Sequence, residues 1–121
     1  MAKGDDIEKR LVDFAVMVIE LTDKLPNSRA GNHLAGQLVR SGTSPAAHYA
    51  EARGAESSKD FVHKLKIYLK ELNESRVWLQ IIWKGKLVSS KHLRDIYQEN
   101  DELCRIINVS VKTAKSKSYS T

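Results

Sequence analysis

The sequence predicts an all-α protein, an antiparallel up-down-up-down four-helix bundle. Two observations carry that expectation. Apolar residues recur at alternating spacings of three and four along most of the chain, as in helices that each bury one stripe. Punctuation is sparse, since 6 glycines and 2 prolines in 121 residues leave too few turns for a sheet protein. The length fits a single domain, which we place at residues 1–115, followed by a flexible basic tail over 116–121.

The first helix is expected over residues 5–25, where Ile7, Leu11, Phe14, Val18, Leu21 and Leu25 form the stripe. Asp5 and Asp6 sit where a helix start prefers negative charge, Asp5 as N-cap, and Pro26-Asn27 ends the helix. Ala15 and Ile19 widen the stripe beyond one neighbour. The second helix begins near Ser28 and buries Leu34, Leu38 and Val39. Within it Ser41-Gly42-Thr43-Ser44-Pro45 allows two readings. One is a stop and restart, with Ser44 as N-cap and Pro45 at the first helical position. The other is a continuous helix kinked near Ser41–Pro45, because proline removes a donor and crowds the carbonyl of Ser41. The immediate return of Ala46, Ala47, Tyr49 and Ala50 favours the kinked helix, and the alanines admit a close neighbour with Tyr49 as anchor.

After a turn at Gly54-Ala55, Ser57-Ser58-Lys59-Asp60 resembles a capping box with Asp60 in place of glutamate. The third helix follows, from Ser58 to about Lys84. Phe61, Leu65, Tyr68, Leu72, Ser75, Leu79 and Ile82 make its stripe, while Ile67, Val77, Trp78, Ile81 and Trp83 lie off it. A lone bundle needs one stripe per helix, so the surplus predicts a second burial surface and self-association. The fourth helix is expected from about Ser90 to Lys112, with Asn100 inside its apolar stripe. Charged pairs Lys91–Asp95 and Asp101–Arg105 are spaced to support its outer face.

Catalytic groups are hard to assemble from this chain. The four histidines are scattered, no Glu-x-x-His occurs and Asp60-x-x-His63 is the nearest approach, so we expect no metal and no cofactor. Cys104 lies on the apolar stripe, as a packed small hydrophobe would. Glu71 and Glu74 read as part of a charge network that includes Lys70 rather than as an acid–base pair. The expectation is a protein that is not an enzyme. One cysteine, no apolar run of membrane-spanning length and no signal-like centre in MAKGDDIEKR point to a soluble cytoplasmic protein.

Net charge of +5 and a pI near 9.4 permit a nucleic-acid partner. The local feature behind that reading is Lys59, His63, Lys66 and Lys70, spaced to share one face of the third helix. Lys66 and Lys70 are like charges one turn apart, which a bound phosphate relieves. No aromatic residue interleaves that stripe.

One phrase resembles a known family. Its elements are Arg40-Ser41-Gly42-Thr43-Ser44, Ala47 with Tyr49-Ala50-Glu51-Ala52, Asp60-Phe61 with Lys64-Leu65, then Glu71, Glu74 and Trp78-Leu79. Together they resemble the four-helix-bundle family named for proteins encoded in intervening sequences of 23S rRNA genes. Pro45 departs from it, standing where a small aliphatic residue is more familiar. The chain is similar also to the accessory variability determinants of diversity-generating retroelements, pentameric barrels that engage nucleic acid and a reverse transcriptase. The resemblance implies a homopentamer and no catalysis. In that assembly Arg40, Tyr49, Glu51, Glu71 and Glu74 would fix the packing, with Trp78, Ile81 and Trp83 on surfaces shared between subunits. Two functions are therefore expected to compete. One is an oligomer that binds RNA or DNA through its basic surface. The other is a protein–protein scaffold that presents the Ile81 and Trp83 region to a nucleic-acid enzyme.

Overall fold

The computed structural model describes the backbone of residues 3–120 and the side chains of residues 4–89 and 91–116. Four helices account for it: α1 (Lys3–Thr22), α2 (Arg29–Arg53), α3 (Ser58–Lys84) and α4 (Ser90–Ser120), with no strand among the described residues. Each packs on its chain neighbours and α4 returns to α1, while the diagonal pairs do not meet. The apolar stripes turn inward, so Leu11, Phe14, Val18, Leu38, Leu65 and Leu72 are buried at the centre beside Ile96, Leu103 and Ile107.

The helix ends show what the local chemistry settles. Asp5 is not the N-cap expected of it; α1 starts two residues earlier, and Asp5 lies in its first turn, where the macrodipole favours a carboxylate. α1 ends at Thr22, whose hydroxyl donates to the carbonyl of Ile19 at 2.9 Å, so Leu25 falls outside the helix yet packs half-buried on the core. Ser28 caps α2 by accepting from the amide of Gly31 at 3.0 Å. Ser57 caps α3 by accepting from the amide of Asp60 at 3.1 Å. The Asp60 carboxylate turns instead to Lys64, 3.3 Å away, an aspartate being one methylene shorter than the glutamate of a capping box. α4 continues past Lys112, because the polar residues beyond it are compatible with helix and need no buried stripe. Of the expected tail, Thr121 lies outside the described residues.

α2 runs unbroken through Pro45, so the stop and restart does not occur. Ser44 is interior to the helix and donates to the carbonyl of Arg40 at 2.6 Å, as Thr43 does to Val39 at 2.6 Å. Pro45 is buried, and burial of its ring offsets part of the lost backbone bond. Of the alanines, Ala52 is buried and Ala46 packs half-buried on the core, while Ala47 and Ala50 are exposed. α1 also lies close at Gly42, where an added Cβ would stand 2.7 Å from a methyl of Val18.

Three polar side chains enter the core. The Ser41 and Ser75 hydroxyls are hydrogen-bonded at 2.9 Å between α2 and α3. Asn100 is fully buried on α4, and its amide has no hydrogen-bond partner among the described residues. Of the two i,i+4 pairs read on α4, Arg105–Asp101 forms at 2.7 Å and Lys91–Asp95 does not.

Two glycine substitutions of opposite sign test this packing. Gly42→Ala gains helix propensity of about 1 kcal/mol but forces its methyl against buried, β-branched Val18, so a net loss of about 1–2 kcal/mol is expected. Gly36→Ala meets nothing within 4 Å and should stabilise by up to about 1 kcal/mol. Urea midpoints for the two variants check both signs.

Candidate nucleic-acid interface

α3 buries one side against the core, which leaves its opposite side to solvent along its whole length. Lys59, His63, Lys66 and Lys70 are all exposed there, so the sequence-predicted stripe forms one continuous surface. Further along the same side Val77 and Ile81 are exposed, with Ile67 beside Lys70. The face is thus basic in its N-terminal half and apolar in its C-terminal half.

The packing residues assemble on the flank between α2 and α3. Arg40 donates to Glu74 at 2.6 Å, a link between helices that replaces the expected pairing of Glu74 with Lys70 on the same helix. His48 Nδ1 lies 3.1 Å from Glu71 Oε1, and the Glu71 side chain is only 13% exposed. Tyr68 donates its hydroxyl to the backbone carbonyl of His48 and tilts its ring against the histidine. Burial, with the carboxylates of Glu51, Glu71 and Asp60 adding to it, pushes the Tyr68 phenol up to about 12. A groove of about 610 Å³ runs beside this flank between Arg40, Ile67, Lys70, Glu74 and Val77.

The remaining predicted positions are dispersed. Tyr49 is buried at the far end of the bundle, in a cleft of about 510 Å³ with Phe61, Arg53 and Ile7. Glu51 is exposed one turn from the His48 pair. Trp78 is half-buried, edge-on to His33 at 6.1 Å, and its Nε1 is buried without a partner among the described residues. Trp83 is 42% exposed at the α3–α4 end, edge-on to Tyr97.

Sequence reasoning missed three features. Val12, Val16 and Ile19 lie exposed along the outside of α1, of which only Ile19 had been marked as widening the stripe. Their spacing of four and three, parallel to the buried line, was the available signal. Arg53 reaches Asp5 at 2.7 Å and Glu8 at 3.5 Å, and Arg10 reaches Glu99 at 2.6 Å, clamping α1 to α2 and to α4. Arginines flanking a buried stripe hint at such clamps, but the sequence does not name their partners.

No group of acidic, histidine and cysteine side chains able to hold a metal occurs among the described residues. Burial pushes the Cys104 thiol up, away from the thiolate, and its sulfur sits 3.6 Å from Asn73 Oδ1. No described helix is long and apolar enough to cross a membrane.

These surfaces define an all-α four-helix bundle with one basic helix face and two exposed apolar ones. The chain belongs to the 23S rRNA-intervening sequence protein family, whose pattern matches residues 5–109. Its fold is shared by a crystal structure from Bacteroides thetaiotaomicron, described as a protein with unknown function from the S23 ribosomal protein family. That protein is 30% identical with a TM-score of 0.81, over 88% of this chain and 98% of its own. No curated protein matches.

The Tyr68 hydroxyl offers a pH test. Its folded pKa lies above the ordinary value of 10.0, so its stabilisation is complete below about pH 10 and is lost as pH rises through about 12. Tyr68→Phe, which removes the side-chain donor to the His48 carbonyl, should cost about 1 kcal/mol at pH 8. The gap from the parent should shrink between pH 10 and 12, as followed by thermal unfolding.

Proposed function

We propose that this chain is a non-enzymatic homo-oligomer, pentameric as the family resemblance implies, that binds RNA or DNA through the basic half of the α3 face. The observation that carries the reading is the exposed run of Lys59, His63, Lys66 and Lys70 on one side of one helix. Such a run meets phosphates by charge, and subunit repetition multiplies the contacts. The pI near 9.4 supports the same polarity of partner.

Assembly follows from the apolar faces. Val12, Val16 and Ile19 lie on α1, and Ile67, Val77 and Ile81 lie on α3, which is diagonal to it. Surfaces on diagonal helices point in different directions. Joining one face of a subunit to the other face of the next is a head-to-tail contact, which makes a ring where its rotation closes, as the proposed pentamer requires. These exposed faces also support the second reading, a scaffold whose apolar surface docks a nucleic-acid enzyme.

In fluorescence anisotropy at about 50 mM salt, structured RNA or duplex DNA should bind with steep salt dependence. Lys66→Glu with Lys70→Glu should weaken it at least tenfold and lower the log–log salt slope by roughly 2. Absence of any retention by the parent chain would overturn the reading. A partner protein from the native cell that survives nuclease treatment would favour the scaffold instead. Light scattering should give a species about five times the 13.7 kDa chain, and Ile81→Glu should dissociate it. A clean monomer of the parent chain would sink the assembly.

A further inference from the structure

The α3–α4 end of the bundle carries a second basic surface, and unlike the lysine run it contains aromatic rings. A groove of about 330 Å³ opens there, lined by Gln80, Trp83, Lys84 and Tyr97. The Trp83 indole is 42% exposed and meets the Tyr97 ring edge-on at 6.0 Å and 78°. Gln80 Nε2 donates to the Tyr97 hydroxyl at 3.0 Å, which holds the tyrosine as the second wall. The turn behind the groove is fixed by backbone bonds. Lys86 donates to the carbonyl of Trp83 at 3.0 Å and Leu87 to that of Ile82 at 3.1 Å. Lys86 takes a left-handed φ of 54°, a conformation that glycine usually supplies.

The charge at this end of the bundle is one-sided, and Lys84 lines the groove itself. Lys84, Lys86, Lys91 and Arg94 are exposed, and none of them forms an ion pair with a described residue. Asp95 is the one acidic residue between positions 80 and 98, and it lines a different cleft, with Met17 and Glu20 of α1. A protein partner seated on Trp83 by apolar burial would have to desolvate uncompensated cations. A polyanion that also presents flat rings satisfies both halves of the surface. In a duplex the base faces are stacked on one another and closed to an indole, whereas a single strand offers both phosphates and free faces.

We propose that the α3–α4 end is a base-stacking site for single-stranded nucleic acid. Trp83 supplies the platform and Tyr97 the wall, while Lys84, Lys86, Lys91 and Arg94 hold the flanking phosphates. The proposal rests on the nucleic-acid reading above and narrows its ligand to single strands at this end.

The test compares a fluorescently labelled 12-residue oligothymidylate with an abasic strand of the same length, on the full chain at about 50 mM salt. The parent chain should bind the base-bearing strand roughly tenfold more tightly, as stacking of one or two bases provides. Trp83→Ala should remove that preference and leave abasic binding unchanged, and Trp83→Phe should keep most of it. Lys84→Ala with Arg94→Ala should weaken both strands. Equal affinity of the parent for the two strands, or an unchanged preference in Trp83→Ala, overturns the proposal. If duplex is still retained in that case, the Lys66 and Lys70 surface stands and the stacking site alone fails. If no strand of any kind binds, both fail together. Loss of assembly in Trp83→Ala, seen by light scattering with oligothymidylate binding intact, assigns the groove to protein contact and equally overturns it.

Discussion

The rotation of α3 about its own axis decides what this molecule shows to its surroundings, and a buried hydroxyl pair holds that rotation. Ser41 and Ser75 meet at 2.9 Å inside an otherwise apolar seam. A turn of α3 by one residue would move Ser75 about 100° away and take its partner from the buried Ser41 hydroxyl, at a penalty of about 1–3 kcal/mol, while Ser75 keeps its 3.2 Å contact to the carbonyl of Glu71. The same register brings Arg40 to Glu74 and His48 to Glu71 on the flank. With the inner side so fixed, Lys59, Lys66, Lys70, Val77 and Ile81 have no choice but the outside. Gly42 contributes from the other direction by letting α1 close on α2 opposite the serine pair.

The fold was largely legible because its signal is periodic. Leu11, Phe14 and Val18, or Leu65, Leu72 and Leu79, declare a buried stripe without reference to any other helix. The limits of α3 were legible because a serine cap, a glycine stop and the stripe agree on them. Where local rules compete, the sequence was a weaker guide. Pro45 by its missing donor allows a break or a kinked continuous helix; the apolar residues after it favour continuity, and α2 does run through it. Asp5 has a good capping chemistry, but α1 begins before it.

The candidate surface was legible in part for the same reason. Exposure on one side of one helix follows from spacing, so the lysine run was readable. Partnership across helices does not, which is why Glu74 was assigned to Lys70 when the nearer cation is Arg40. The Trp83–Tyr97 groove joins residues from two helices through a turn, and no spacing within either helix announces it. The outer line on α1 was readable in principle. It was overshadowed by the stronger inner line beside it.

The placement of charge on α3 argues that the basic half is not there for stability. Lysine near a helix start opposes the macrodipole, at a few tenths of a kcal/mol. Lys59 stands in that first turn, where Asp60 is the one acidic residue and is drawn to Lys64. Lys66 and Lys70 are then like charges one turn apart. An outer face selected for folding alone would reverse this order, with acids at the start and bases at the end, as Lys84 does at the close of the helix. The start of α3 keeps its lysines against its own electrostatics. Under the reading proposed above, a negatively charged partner would offset that cost.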